Sequence, residues 1–209
     1  AYEQDETFSL MLFEADGAAL GDPLVAAITV HSEDAPKPGR IEFANPVYEI
    51  GEAAGAVTLQ VRRLDGSDLP RRLRWQTVAL SASADADYAD VQGELAWADG
   101  EDGPRVITVP VLDDAIYEGD EVFVVQLTDL DDGTSLGTAS VTIHSDDALP
   151  VASLSVIGSP FSEDGGEAHV QLHLDHSSSE TVTVDLAFDG EARAETDYGI
   201  STRRLDLPP

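Results

Sequence analysis

Two neighbouring stretches decide the fold: YEGDEVFVVQL at residues 117–127 and ASVTIHSDDALP at residues 139–150. Apolar residues alternate with polar ones in both, and this period of two is typical of strands with one buried face. The turn-forming sequence DDGTS (131–135) lies between them. The sequence therefore predicts two strands joined by a hairpin turn. The expected inward-facing residues are Phe123, Val125, Leu127, Ala139, Val141 and Ile143.

The same alternation recurs elsewhere, at Val57, Leu59 and Val61 and again at Ile107, Val109 and Val111. Turn clusters separate these segments, for example LDGSD (64–68) and ADGEDG (98–103). No segment shows a sustained helical stripe with caps. We therefore expect an all-β fold of antiparallel sheets packed face to face.

The chain also repeats itself. Residues 117–127 are echoed by YEQDETFSLML (2–12), and residues 139–150 by AAITVHSEDAPKP (26–38). Later in the chain, IGEAAGAVTLQV (50–61) is echoed by FSEDGGEAHVQL (161–172), and ADADYAD (84–90) by AETDYGI (194–200). The offsets are all about 110 residues, which indicates a tandem array. We expect the C-terminal part of one repeat at 1–36, a complete domain at 40–147 and the N-terminal part of another repeat at 151–209.

Short linkers are expected at 34–40, which is rich in Pro and Gly, and at 147–151. Their length predicts repeats that lie close and end to end. The two partial repeats could also form a composite domain between two chains. That composite would lack the equivalent of about residues 99–115, so a stretch of a longer array is the simpler interpretation.

The composition is strongly acidic, with 41 Asp and Glu against 11 Lys and Arg and a formal net charge of -30. Nucleic acids and anionic membranes are poor partners for such a surface because both require a basic footprint. No cysteine is present, so disulfides and thiolate metal sites are excluded. No apolar stretch approaches the roughly 20 residues of a membrane-spanning helix, and AYEQDETF has no signal-peptide pattern. We expect no membrane insertion by this segment.

Within residues 40–147 the carboxylates gather at expected strand ends and loops. Two unit charges about 4 Å apart repel by about 4 kcal/mol at an effective dielectric of about 20, so a tight cluster requires a cation. Calcium fits such a cluster because it takes six to eight oxygen ligands in flexible geometry. Solvated acidic loops, or an acidic surface adapted to high salt, are the alternatives. The recurrence of Glu118 and Glu121 as Glu3 and Glu6 favours a site.

The strings GEAAG (51–55), ADADY (84–88), LDDAIYEGDEVFVVQL (112–127) and LGTASVTIHSDD (136–147) together resemble a Calx-beta domain. This is the module of sodium/calcium exchanger regulatory loops and of many bacterial surface proteins. The resemblance, which the partial repeats extend over nearly the whole chain, implies an immunoglobulin-like sandwich of about seven strands with calcium at one tip. It also implies a bacterial surface or secreted protein.

Position by position, the resemblance implies nine calcium ligands: Glu52, Asp87, Asp113, Asp114, Ile116, Glu118, Glu121, Asp146 and Asp147. Ile116 would contribute its main-chain carbonyl. Calcium-binding members often end in three aspartates, whereas this chain has Ser145 at the first place and Ser32 at the matching place of the earlier repeat. We therefore expect one or two ions rather than four. The partial repeats keep only parts of a site: Glu3, Glu6, Glu33 and Asp34 in the first, Glu163 and Asp197 in the last.

Enzymatic function is not expected. GTSLG (133–137) matches the Gly-x-Ser-x-Gly pattern of hydrolases, but that motif requires a strand-to-helix turn, and the matching GAALG (17–21) has alanine in place of the serine. A glycosidase would need two carboxylates facing each other across a cleft, and only two tryptophans are present to stack on sugars.

The sequence therefore predicts a calcium-binding structural or adhesive module of an extracellular or cell-surface protein. Its expected partners are calcium ions, neighbouring repeats and, in one alternative, other copies of itself in a filament assembled through complementary partial repeats. A further alternative is a calcium-sensing regulatory module of a transporter or secreted enzyme.

Overall fold

The computed structural model describes residues 2–160, 162 and 165–209. Across these residues the regular structure is almost entirely β, with a single 3-10 turn at Glu52–Ala54. Nothing in this described part forms a helix that is long and apolar enough to cross a membrane. The strands are β1 (Glu6–Met11), β2 (Val25–Val30), β3 (Arg40–Phe43), β4 (Val47–Gly51), β5 (Ala56–Leu64), β6 (Arg71–Ala79), β7 (Gln92–Trp97), β8 (Arg105–Pro110), β9 (Glu121–Asp129), β10 (Ser135–His144), β11 (Ala152–Ile157), β12 (His169–Leu174), β13 (Val182–Asp185) and β14 (Arg204–Leu207).

Strands β3 to β10 form a sandwich of two sheets, which we call the middle sandwich. One sheet has the order β4-β10-β9-β6-β7 and the other has the order β3-β5-β8. All pairs are antiparallel except β4 and β10, which run parallel with Tyr48 opposite Val141. The prediction of an all-β immunoglobulin-like sandwich is confirmed, with this one parallel pair as an addition.

The parallel pair arises because the chain passes from one sheet to the other between β3 and β4. β3 pairs with β5, whereas β4, which continues in the chain after Pro46, pairs with β10 in the opposite sheet. Proline has no backbone N–H and interrupts a ladder, so the break falls where the strand leaves its first partner. The Pro46 carbonyl accepts a hydrogen bond from the Ser140 amide at 3.0 Å, which begins the new pairing.

The core lies between the two sheets and contains the residues that the alternation predicted. Every member of the four predicted sets, from Val57 to Ile143, is buried. Tyr88 and Phe123 stack at the centre with their ring centroids 4.2 Å apart. Since burying one large apolar side chain stabilises by about 1.5–3 kcal/mol, this core is the main source of stability of the middle sandwich.

The remaining strands form three two-stranded sheets: β1-β2, β11-β12 and β13-β14. The β1-β2 hairpin repeats the β9-β10 hairpin, with Glu6 opposite Val30 where the middle sandwich has Glu121 opposite Ile143. Its apolar side chains are exposed, and Phe8, the counterpart of Phe123, is 54% accessible. The tandem repeat is therefore visible in strand pairing as well as in sequence. The proposed boundaries at 1–36, 40–147 and 151–209 stay predictions.

Replacing Phe123 by alanine should lower the free energy of unfolding of the middle sandwich by about 3–5 kcal/mol, because it removes a fully buried ring and leaves a cavity. Val106→Ala is the matched control, since Val106 is 54% exposed on β8, and it should cost less than about 0.5 kcal/mol. Urea unfolding followed by tryptophan fluorescence measures both, because Trp75 and Trp97 lie in the middle sandwich. Similar losses in the two variants would contradict the assigned core.

Candidate metal centre

The acidic residues converge at one end of the middle sandwich, which we call the tip. Glu52 lies in the 3-10 turn after β4, and Asp87 lies in the loop between β6 and β7. Residues 111–120 connect β8 to β9, Glu121 begins β9, and Asp147 follows the end of β10. Gly55 closes the 3-10 turn in a left-handed conformation, with φ of 80°, which lets the chain reverse into β5. Strand ends and loops from both sheets therefore place these carboxylates together at the tip.

The first carboxylate group consists of Glu52, Asp114 and Asp147. One oxygen from each residue lies within 4.8 Å of the others. Glu52 is 3% exposed and accepts a hydrogen bond from the main-chain N–H of Asp114. Asp114 in turn accepts a hydrogen bond from the Ile116 amide at 2.7 Å, which holds the loop in a tight turn.

The second carboxylate group consists of Asp87, Glu118 and Glu121, again with one oxygen from each within 4.8 Å of the others. Asp87 is 6% exposed and accepts a hydrogen bond from the Ser83 amide at 2.6 Å. Each group raises the pKa of carboxyls in the other, because Glu118 acts on Glu52 and Asp114 acts on Glu118. The two groups therefore form one electrostatic unit.

Two carboxylate oxygens at the tip are buried without a hydrogen-bond donor within the described residues. They are Oε2 of Glu121 and Oδ2 of Asp147, one from each group. A buried acceptor without a partner costs about 1–3 kcal/mol, and more when it is charged. These oxygens are therefore the strongest indication that the tip is built to receive a cation.

Two carboxyl groups at the tip have raised pKa values and hold protons when no cation is bound. Burial, followed by the charges of Asp114, Glu118 and Asp147, raises the pKa of Glu52 to about 7. Burial, followed by the neighbouring Asp87, raises the pKa of Glu121 to about 8. Both carboxyls are thus partly protonated near neutral pH, and a bound cation would displace those protons.

The donor set is six carboxylates with no histidine or cysteine. Hard oxygen donors favour Ca²⁺ or Mg²⁺ over zinc or copper, and a site with this many protein oxygens suits Ca²⁺ because Mg²⁺ keeps several waters. The residues present therefore fit the predicted calcium ion. Calcium at this position would supply positive charge to the six carboxylates and would hold the loops that carry them.

The structure brings together six of the nine sequence-predicted ligands, namely Glu52, Asp87, Asp114, Glu118, Glu121 and Asp147. Asp113 and Asp146 are exposed and lie outside both groups. Ile116 contributes its amide to Asp114, and its carbonyl as a ligand stays a prediction. Ser145, which stands at the place of a common aspartate, accepts a 3.4 Å hydrogen bond from the Asp147 amide through its hydroxyl.

The partial repeats keep some local contacts of the middle sandwich. Asp197 accepts a hydrogen bond from the Arg193 amide at 2.7 Å, just as Asp87 does from Ser83. In the first hairpin, Asp5 binds His31 Nδ1 at 2.6 Å and the Ser32 amide at 3.1 Å. Both three-carboxylate groups found in the described part of the chain belong to the middle sandwich. Four predicted partial-site residues of the first repeat are exposed: Glu3, Glu6, Glu33 and Asp34. Glu163 lies outside the described residues.

One feature of the tip was missed by sequence reasoning, namely its contact with the following segment. The Tyr117 amide donates to Ser177 O at 3.2 Å, and Tyr117 O accepts from the Ser179 amide at 3.0 Å. Ser179 also hydrogen-bonds Glu118, a member of the second carboxylate group. The short linker at 147–151 predicted proximity, but no sequence signal identified these serines.

Comparison with known proteins supports the resemblance. The family model of the Calx-beta domain matches residues 1–34, 34–148 and 146–206. The sodium/calcium exchanger Calx of Drosophila melanogaster is 29% identical over 127 residues, covering 60% of this chain and 13% of that protein. The human FRAS1-related extracellular matrix protein 2 is 28% identical over 231 residues, covering 100% of this chain and 7% of that protein.

Among solved structures, the apo-form Calx CBD1 domain is 27% identical and has a TM-score of 0.48; the match covers 52% of this chain and 97% of that one. The chain spans less than a fifth of the length of the two curated relatives above. The three family matches together cover nearly every residue. The chain therefore belongs to the Calx-beta domain family.

Proposed function

We propose that this chain is a calcium-binding structural module of an extracellular tandem-repeat protein, in which calcium at the tip of the middle sandwich stiffens the tip and its junction with the next repeat. The observation that carries the proposal is the pair of buried, unpartnered oxygens on Glu121 and Asp147 within two adjoining carboxylate groups. These oxygens are costly to the folded protein unless a proton or a cation binds them.

The contact across the second junction connects ion binding to stiffness. Glu118 belongs to the second carboxylate group, hydrogen-bonds Ser179, and lies beside Tyr117, whose backbone pairs with Ser177 and Ser179. An ion that fixes Glu118 therefore also fixes the short loop against which the following segment lies. Without the ion, the carboxylates at this loop would repel one another and the junction would become more mobile.

An extracellular setting agrees with these features. Four of the matched proteins are named as extracellular matrix proteins, including FRAS1 of mouse and human. The chain has no cysteine, so calcium would take the stabilising role that disulfides have in many secreted domains. Binding sites of extracellular modules have dissociation constants of about 10⁻⁴ to 10⁻³ M. A structural role in place of catalysis is supported by Ser135 of the GTSLG sequence, which begins strand β10 instead of ending a strand-to-helix turn.

A calcium sensor that regulates a transporter is the main alternative, favoured by the match to the exchanger Calx. A sensor requires tighter binding, with dissociation constants of about 10⁻⁷ to 10⁻⁵ M. A calorimetric titration of the purified chain separates the two roles. The structural role predicts one or two weak sites per chain, and micromolar affinity would favour the sensor.

Calcium should raise the melting temperature of the middle sandwich, because it binds the folded tip alone. At a free calcium concentration about 100 times the dissociation constant, the stabilisation is about 2.7 kcal/mol, or roughly 10 °C in melting temperature. Asp147→Asn should remove most of this increase, whereas Asp131→Asn, in the exposed turn at the opposite end of β9, should leave it unchanged. Differential scanning calorimetry in calcium and in chelator measures it. Equal melting temperatures in the two conditions would exclude a stabilising ion.

The raised carboxyl pKa values predict a dependence of stability on pH. In chelator, stability should fall as pH rises from about 5 to 8, because folded Glu52 and Glu121 keep protons that the unfolded chain has lost, and it should level off above that range. His144 contributes in the same direction, since its partner Asp120 raises its pKa. Glu121→Gln should therefore flatten only part of the slope. Urea midpoints across this range test the prediction, and a slope of opposite sign would contradict the protonated tip.

A second candidate function is that of a filament subunit, and one packing observation favours it. In the middle sandwich Tyr88 stacks on Phe123, but their counterparts in the partial repeats, Tyr198 and Phe8, lie in separate segments. Tyr198, Phe188 and Val170 line an open cleft of about 1030 Å³, and Phe8 is 54% exposed. The β1-β2 hairpin of one copy could fill the cleft of another, although the composite would lack the counterpart of β8.

This candidate predicts association that depends on concentration. Sedimentation velocity should show a mass that grows with protein concentration, and Phe8→Asp should abolish the growth because it places a charge against Tyr198, Phe188 and Val170 in the cleft. Ser9→Asp, on the alternate face of β1, is the control and should have little effect. A monomer at every concentration would contradict this candidate.

A further inference from the structure

A buried arginine lies near the end of β5, away from the tip. Arg63 is 2% exposed, and burial lowers its pKa. Its guanidinium donates hydrogen bonds to five main-chain carbonyls: Pro38 at 3.0 Å, Asp68 and Leu69 at 2.8 Å each, Glu101 at 3.0 Å and Ala98 at 3.4 Å. A guanidinium buried in this way is stable only while all the surrounding carbonyls stay in place.

The five carbonyls come from three separate segments. Pro38 belongs to the incoming linker, Asp68 and Leu69 belong to the turn between β5 and β6, and Ala98 and Glu101 belong to the loop between β7 and β8. Arg63 therefore connects the linker to two loops of the middle sandwich. We call this arrangement the base clasp.

The linker makes further contacts with the same turn. The Lys37 amide donates to Asp68 Oδ2 at 2.8 Å, and the Asp68 amide donates to Lys37 O at 3.1 Å. Gly39 has a φ of 74°, and a Cβ at this position would lie 2.2 Å from Gly66 O. Only glycine permits this close approach, so the sequence at this point is adapted to hold the linker against the sandwich.

We propose that linker residues 37–39 are a fixed part of the middle sandwich, fastened by Arg63, and that this half of the first junction is rigid without calcium. The inference rests on the structural role proposed above and deepens it. It distinguishes a base contact, held by hydrogen bonds at all calcium concentrations, from the tip contact of the second junction, held through the carboxylate groups. Motion at the first junction would then be confined to residues 34–36.

A related arrangement in the third segment supports the inference independently. The Val151 amide donates to Asp175 Oδ1 at 2.7 Å, and the Asp175 amide donates to Val151 O at 3.2 Å. His176 Nε2 lies 2.7 Å from Ala148 O and acts as a donor there. A carboxylate in the turn after β5, and after its counterpart β12, therefore exchanges hydrogen bonds with the preceding linker, and in the third segment an imidazole also donates to that linker.

The experiment compares Arg63→Met with Arg62→Met in the full chain. Arg62 is the exposed neighbour on β5, so its substitution controls for loss of charge and for side-chain length. Amide hydrogen exchange of Lys37, Gly39, Arg40 and Asp68 is measured in chelator and in calcium. The native chain and Arg62→Met should show the same protection in both conditions, and Arg63→Met should exchange at least about tenfold faster in both. Protection of the native linker that appears only with calcium would overturn the proposal, as would unchanged exchange in Arg63→Met.

Tryptophan fluorescence shows whether Arg63→Met folds. If it does not fold, a second variant, Asp68→Ala, tests the proposal. Asp68→Ala removes only the side-chain acceptor of the Lys37 amide and leaves Arg63 in place. It should raise exchange at residue 37 without changing calcium affinity in a titration. A loss of calcium binding in Asp68→Ala would show that base and tip are not independent, which would overturn the division proposed here. If Arg63→Met exchanges faster as expected but calcium does not bind the chain, the proposed function is wrong and the base clasp remains supported.

Discussion

Mutual repulsion among six carboxylates at the tip is the constraint on which the rest of this structure depends. The core restricts their backbone positions, because Glu52, Glu121 and Asp147 lie in or next to strands whose inward residues are buried, and Asp87 precedes the buried Tyr88. A core that is stable enough to hold repelling charges together is what makes a cation site possible in a protein without cysteine.

The two ends of the middle sandwich contain buried ionisable groups of opposite charge. At the tip, two buried carboxylate oxygens lack donors, and burial among other carboxylates raises the pKa values of Glu52 and Glu121. At the base, one buried guanidinium is surrounded by backbone carbonyls and is satisfied within the chain itself. In an end-to-end array each junction would join the tip of one repeat to the base of the next. Calcium would then control one half of a junction whose other half is permanent.

Sequence reasoning predicted the core well because burial is periodic in a strand: Phe123, Val125 and Leu127 alternate, and all three are buried. It identified the loops that carry the clustered carboxylates because they recur between repeats. It could not separate Asp114 from Asp113, or Asp147 from Asp146, because neighbouring residues in a loop differ only in the direction of their side chains. Arg63 and Ser179 were missed for a related reason, since Arg63 donates to backbone carbonyls, which carry no residue signature, and Ser179 contacts Tyr117 and Glu118, which lie about 60 residues earlier in the chain.

The most direct test of the central claim is the structure of crystals grown in calcium, with anomalous scattering used to locate the ions. The account predicts one or two anomalous peaks at the tip, each with carboxylate oxygens of Glu52, Asp114 and Asp147 or of Asp87, Glu118 and Glu121 at about 2.3–2.6 Å. A tip without anomalous density in millimolar calcium, with these carboxylates turned apart into solvent, would contradict it.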